Sequence, residues 1–146
     1  MRWKLLDKGP PATHVIIMVT GDEVTGALGK LVREQNIDAG SLTAIGAFER
    51  ATLGYFDWAT KKYQPIPVDE QVEVLSLLGD VAVSEGKSTL HMHAVLGKSD
   101  GTTVGGHLLE GHVRPTLEIT LIEPPGHLRK RKDPETGLAL IDLDRS

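Results

Sequence analysis

His91, His93 and His107 are the residues of this chain whose type and spacing could do chemistry. They fall within Gly86 to Gly111, GKSTLHMHAVLGKSDGTTVGGHLLEG, a stretch that reads as a β-hairpin. Thr89 to Gly97 and Thr102 to Glu110 are extended-looking runs, and Ser99-Asp100-Gly101 between them has turn chemistry. Alternate residues of a strand share a face, which puts His91 and His93 on the same side. Folding the hairpin about Asp100 sets His93 opposite His107 and His91 opposite Leu109. Opposed side chains have Cβ atoms about 4.5–5.5 Å apart, so three imidazoles converge on one patch of one sheet face. A metal site with three protein ligands and an open position is built this way. His-x-His in a strand also occurs as a structural or solvent-facing pair, and the cross-strand third histidine is what separates the two readings. That third partner depends on register. A slip of one residue would reverse the face, and Gly105-Gly106 is where a bulge would introduce it.

The absence of cysteine narrows the chemistry further. Disulfides, thiolate nucleophiles and thiolate-bound zinc are excluded, leaving His, Asp and Glu as side-chain ligands. Three neutral imidazoles on zinc leave a position where bound water has its pKa lowered toward about 7. Glu73, Glu110 and Glu118 are the acids near the hairpin in sequence, each a candidate general base or partner orienting an imidazole. Each is also an ordinary strand-face carboxylate. Arg114 has the chemistry to hold a substrate carboxylate or phosphate, or to pair with Glu118 four residues along.

The surrounding elements must position these groups. His14 to Thr20 reads as a buried strand with a structural histidine at its edge, and Asp22 as the N-cap of a helix from about Glu23 to Asn36. Val24, Ala27, Leu28, Leu31 and Val32 form one apolar stripe at helical spacing. Ser41 to Trp58 is a strand region with a bend expected near Gly46 or Gly54. Pro65 and Pro67 keep the next segment at an edge, since proline gives no donor to a ladder. Gln71 to Ser84 reads as one long strand or two broken at Gly79, with apolar alternation continuing on both sides of Leu75 and Leu77. After the histidine hairpin, His112 to Glu123 forms a further strand interrupted early by Pro115. Leu117, Ile119 and Leu121 lie on one of its faces, Thr116, Glu118 and Thr120 on the other. Leu138 to Ile141 then docks back onto the domain.

With 146 residues, 40% hydrophobic and 25% charged, the chain fits one domain able to bury a core without staples. A core at about 14–123 and a docking tail at 124–146 are expected. The first apolar run is too short for a signal peptide or membrane span, so a cytoplasmic protein with no membrane partner is expected. A net charge of −4 argues against a strongly electrostatic nucleic-acid binder.

Three stretches resemble the plant-and-prokaryote-conserved (PPC) domain. Its Gly-Ala-x-x-x-x-Thr-Leu element matches Gly46-Ala47 and Thr52-Leu53. Its Gly-Arg-Phe-Glu-Ile-Leu-Ser-Leu-x-Gly element resembles Gln71 to Gly79, with Glu73, Leu75 to Leu77 and Gly79 agreeing. Its Asp-Gly-x-x-Val-Gly-Gly element matches Asp100-Gly101 and Val104-Gly105-Gly106. The resemblance covers roughly His14 to Glu123. It implies an α+β single domain, a mostly antiparallel mixed sheet of about seven strands with one main helix packed on it, assembled as a homotrimer. For the prokaryotic single-domain members the resemblance implies a metal held by His-x-His before the turn and His after Gly-Gly, and a divalent ion, zinc first, is expected here. Carried over by position, the ligands are His91, His93 and His107, with His112 as second choice.

Members of that family are also named provisionally for DNA binding, by analogy with plant relatives that carry AT-hooks, Arg-Gly-Arg-Pro segments. This chain has no such segment, and its one basic run is at 129–132. The expected function is therefore a metal-binding PPC-type protein with DNA as a weakly supported partner. The alternative is a metal-dependent enzyme acting on a small molecule. A cupin also uses His-x-His on a strand, but its motif places a glutamate where Gly97 and Lys98 stand here.

Overall fold

The computed structural model describes residues 1–7 and 9–146. In chain order these form β1 (Arg2–Asp7), β2 (Ala12–Val19), α1 (Val24–Glu34), β3 (Ala39–Asp57), β4 (Lys62–Val68), β5 (Val72–Ser84), β6 (Lys87–Gly97) and β7 (Thr103–Glu123). A short pair, β8 (Lys130–Lys132) and β9 (Ala139–Ile141), follows. Seven strands make one sheet in the order β1-β2-β7-β6-β5-β3-β4, with α1 laid on β6 and β7. Each pairing within it is antiparallel. β1, in a stretch with no strand signal, adds an edge to β2.

Two strands are long enough to do double duty. β3 pairs through its first half with β5 and through its second with β4, while β7 runs along its whole length. That extra pairing closes β3, β5, β6 and β7 into a ring. Register shifts at Ala44/Gly46, Gly46/Phe48 and Phe48/Arg50 supply the bend that closure needs. A Cβ on Gly46 would fall 2.2 Å from the Thr116 carbonyl oxygen, so only glycine lets the strands cross there.

Several expectations change on this scaffold. Pro115 does not interrupt β7. Gly46 faces Leu117 and Phe48 faces Val113, so residues 114–116 bulge out of the β3 ladder, and the β2 ladder starts only at Thr116. A residue without an N–H fits where no donor is required. Leu75 and Leu77 lie on opposite faces of β5. Val74 pairs with Leu96 and Ser76 with Val95, leaving Leu75 as an extra residue. That bulge reverses the alternation, so Leu77 is buried while Leu75 is 54% exposed.

The helix is capped by Glu23 rather than Asp22. The Glu23 carboxylate accepts hydrogen bonds from the backbone N–H groups of Thr25 (2.9 Å) and Gly26 (2.7 Å). Asp22 instead accepts from the N–H of Val19 at 2.9 Å, closing the turn before the helix. The apolar stripe behaves as its spacing predicts: Val24, Leu28, Leu31 and Val32 are buried and Ala27 is partly so. Burying each of the larger ones contributes about 1.5–3 kcal/mol.

Candidate metal centre

The turn that aims the histidines is tightly specified. Asp100 accepts hydrogen bonds from the N–H (2.9 Å) and hydroxyl (2.6 Å) of Thr102, and Gly101 has φ +83°. Those bonds hold the Asp100 carboxyl below its usual pKa. From Gly97 opposite Thr103 the ladder runs unbroken to His93 opposite His107. Gly105-Gly106 introduces no slip there. A Cβ on Gly106 would lie 2.9 Å from the Gly54 carbonyl oxygen, where β3 crosses behind β7. The β6–β7 ladder ends at His93, so His91 does not face Leu109. β7 there leaves β6 for β3, and His91 is paired instead with Asp80 on β5.

The three rings form a near-equilateral triangle. Centroids are 5.0 Å apart for His91 and His93, 5.1 Å for His91 and His107, and 5.3 Å for His93 and His107. The Nε2 atoms of His91 and His93 are 3.1 Å apart, and one ring nitrogen from each of the three lies within 4.8 Å of the others. Two nitrogens bound to one tetrahedral zinc at about 2.0–2.1 Å stand about 3.3 Å apart, so this spacing suits such an ion. His107 is the most enclosed of the three. Its ring stacks on Tyr63 with centroids 4.6 Å apart, and its Nδ1 is buried with no hydrogen-bond partner. A buried nitrogen left unpaired calls for an explanation, and a cation in the cluster supplies the right kind. Burial first, then the neighbouring His91, His93 and Lys130, push the His107 pKa down to about 4. Burial and His91 lower that of His93, against the pull of Asp80. Both imidazoles are thereby kept neutral, the form that ligates metal.

Three residues at this site are absent from the sequence-derived set. Asp80 Oδ2 lies 3.4 Å from His91 Nδ1, and its Oδ1 is held by Lys130 Nζ at 2.9 Å. A carboxylate behind the distal nitrogen of a ligand histidine fixes its ring and raises its basicity. Burial would raise the Asp80 pKa, but His91 and Lys130 together hold it below the usual value. Tyr63, on edge strand β4, is the third. One signal was available. The Glu85–Gly86 turn, both residues at positive φ, sets Ser84 opposite Lys87, and counting back along β5 puts Asp80 opposite His91.

The structure does not bring the other candidates into the cluster. Glu73 pairs with Gly97, four residues and about 13 Å along β6 from His93. Glu118 and Arg114 are exposed and make no ion pair with each other among the described residues. His112 is occupied by Glu110 and by Arg50 at 3.2 Å. Glu110 is therefore its partner rather than a neighbour of the three rings.

Relatives share this architecture. A structure from Bacteroides thetaiotaomicron, named provisionally for DNA binding, superposes with TM-score 0.90 at 26% identity, covering 98% of this chain and 99% of that one. A plant- and prokaryote-conserved (PPC) protein from Pyrococcus horikoshii gives 0.84 at 29% identity over 97% and 94% of the two chains. A metal-containing protein from Archaeoglobus fulgidus gives 0.82 at 29% identity over 96% of each. The bifunctional protein GlmU of Synechococcus sp. (strain JA-3-3Ab) is 28% identical over 143 residues, which are 96% of this chain and 22% of that protein. The chain thus spans about a fifth of the curated relative it matches. Among the described residues no helix is long and apolar enough to cross a membrane. Residues 7–124 match the Plants and Prokaryotes Conserved (PCC) domain, and the chain belongs to that family.

Proposed function

We propose that this protein binds one divalent metal ion per chain, zinc by preference, through His91, His93 and His107. The observation that carries this reading is the convergence of three ring nitrogens within 4.8 Å. Asp80 braces the first of them, and the likeness to a metal-containing protein of the same fold adds support. A donor set of three imidazoles without thiolates suits zinc. When bound, such an ion supplies a Lewis acid with an open coordination position. The residues of the chain hold the imidazoles neutral, orient His91 and cover one side of His107 with Tyr63. DNA is a minor partner at most in this reading. The net charge is −4, and Lys130 and Arg131 of the basic run are already paired with Asp80 and Asp142.

Metal analysis of the purified chain tests the site. Wild type and His127→Ala, an exposed tail variant, should carry one equivalent of zinc. His107→Ala should carry almost none, because two ligands from one strand remain. Full occupancy in His107→Ala would sink the assignment.

We further propose that the chain assembles as a homotrimer. The sheet face away from α1 leaves Ile45 62%, Leu75 54% and Leu78 57% exposed around one shallow hollow with Val15 and Ile17. Large apolar side chains exposed together, here with Thr43, Glu118 and Thr120 among them, suit an association surface. Sedimentation should give about three times the 15.8 kDa chain mass, and Ile45→Glu should shift it toward the monomer. A wild-type monomer at micromolar concentration would contradict the assembly.

A further inference from the structure

Beside the histidine cluster lies a cavity of about 250 Å³. Its wall joins two parts of the chain. Leu90, His91 and His107 come from the sheet, while Lys130, Leu138 and Leu140 come from the segment beyond the residues that match the family. Tyr63, stacked on His107, completes the wall. That segment is anchored at the site. The Val83 N–H donates to the Leu128 carbonyl at 2.7 Å, Lys130 is ion-paired to Asp80, and β9 pairs with β8.

We propose that this cavity binds a small organic anion, a carboxylate on a short apolar body, with its charged end toward the histidines. The anionic end rests on the three-histidine reading above, and the apolar body rests on the cavity wall alone.

The body follows from the lining. Leu90, Leu138 and Leu140 present side chains to a space that would hold about eight waters at roughly 30 Å³ each. Water filling it would gain few hydrogen bonds, and Leu140 is left 47% exposed. A chain of a few carbons replaces that water and covers the leucines. The volume is at the small end for a ligand pocket, which excludes nucleotides and peptides from full enclosure.

The charge follows from the polar part of the wall. His91, His107 and Lys130 line it with Tyr63, Ser84 and Thr89, and among the described lining residues none is acidic. The adjacent carboxylate, Asp80, has both oxygens engaged. Three neutral imidazoles would bring no negative charge to a divalent ion, so its charge is left for a ligand to neutralise. A cationic ligand would face the bound ion and the Lys130 ammonium, with no acidic residue among the described lining residues.

Calorimetric titration of the zinc-loaded full chain tests this with acetate, butyrate, hexanoate and, as the neutral control, hexanol. Affinity should rise about threefold per added methylene, and hexanoate should bind at least tenfold more tightly than hexanol. The double variant Leu138→Ala/Leu140→Ala should keep its zinc and its acetate affinity while losing about tenfold for hexanoate. A flat chain-length series on zinc-loaded protein, or a slope unchanged in the double variant, overturns the cavity and leaves the metal reading standing. Protein that takes up no zinc and binds hexanoate no better than hexanol overturns the metal reading and the anionic end together. The slope in that sample still decides the apolar body.

Discussion

His14 and His107 both turn inward from neighbouring regions of one sheet, yet their nitrogens are treated differently. His14 is 4% exposed, its Nδ1 accepts from Trp3 Nε1 at 3.1 Å, and its Nε2 is 3.0 Å from Glu123. Because Nδ1 accepts, Nε2 carries the proton and donates to the carboxylate, so both nitrogens are used and the tautomer is fixed. The ring also stacks on Trp3. His107 has an aromatic neighbour too, Tyr63, but its Nδ1 has no partner, and the other polar side chains around it include two more histidines. Satisfaction by protein groups marks a histidine that holds the fold. An unpaired ring nitrogen on His107, in a triangle of three imidazoles about 5 Å apart, marks one that holds something else.

The sharpest way to break that contrast is to truncate one histidine of each kind. His107→Ala should abolish metal binding while leaving a folded protein. His14→Ala should keep the metal and lower unfolding free energy by about 1–3 kcal/mol, because Trp3 Nε1 and Glu123 lose their buried partner. Metal content and urea unfolding on both variants read the two effects separately; equal metal loss in both would end the distinction. A smaller effect is expected at the brace. Asp80→Asn removes the charge behind His91 without removing a ligand, and metal affinity measured by competition with a chelator should fall about 10–100-fold. An unchanged affinity would reduce Asp80 to a partner of Lys130 alone.

How far the sequence could foretell this depends on how local the determining contact is. The hairpin was legible because a tight turn fixes register, and register fixes His93 against His107. The helix stripe was legible for the same reason, its spacing being a property of one element. What stayed hidden involves contacts between distant segments. Pro115 within a continuous β7 depends on how β3 crosses it, and the Leu75 bulge depends on β6. Lys130 reaches Asp80 only because the tail folds back beneath the β5–β6 turn, a placement that no local periodicity encodes. Asp80 is intermediate: its register was readable from Glu85–Gly86, but its importance emerges only once Lys130 is placed.

The smallest predicted effect concerns protons and needs no metal. In the chelator-treated folded chain the His107 pKa is about 4, against an ordinary value near 6.5 in the unfolded chain. Between those values the unfolded state binds a proton that the folded state refuses, so stability falls as pH drops through that window and levels off below about 4. Above about 6.5 the group is neutral in both states and contributes no slope. His93, also lowered, acts in the same direction. Since the cluster is open to solvent on one side, the His107 contribution is about 1–2 kcal/mol after screening. His107→Phe keeps a ring against Tyr63 and removes the titration, so urea midpoints between pH 6.5 and 4 should decline less steeply than in wild type. If the His107 variant shows the wild-type slope, the enclosure that keeps this imidazole neutral is not what the geometry implies, and proton competition at the site must come from elsewhere.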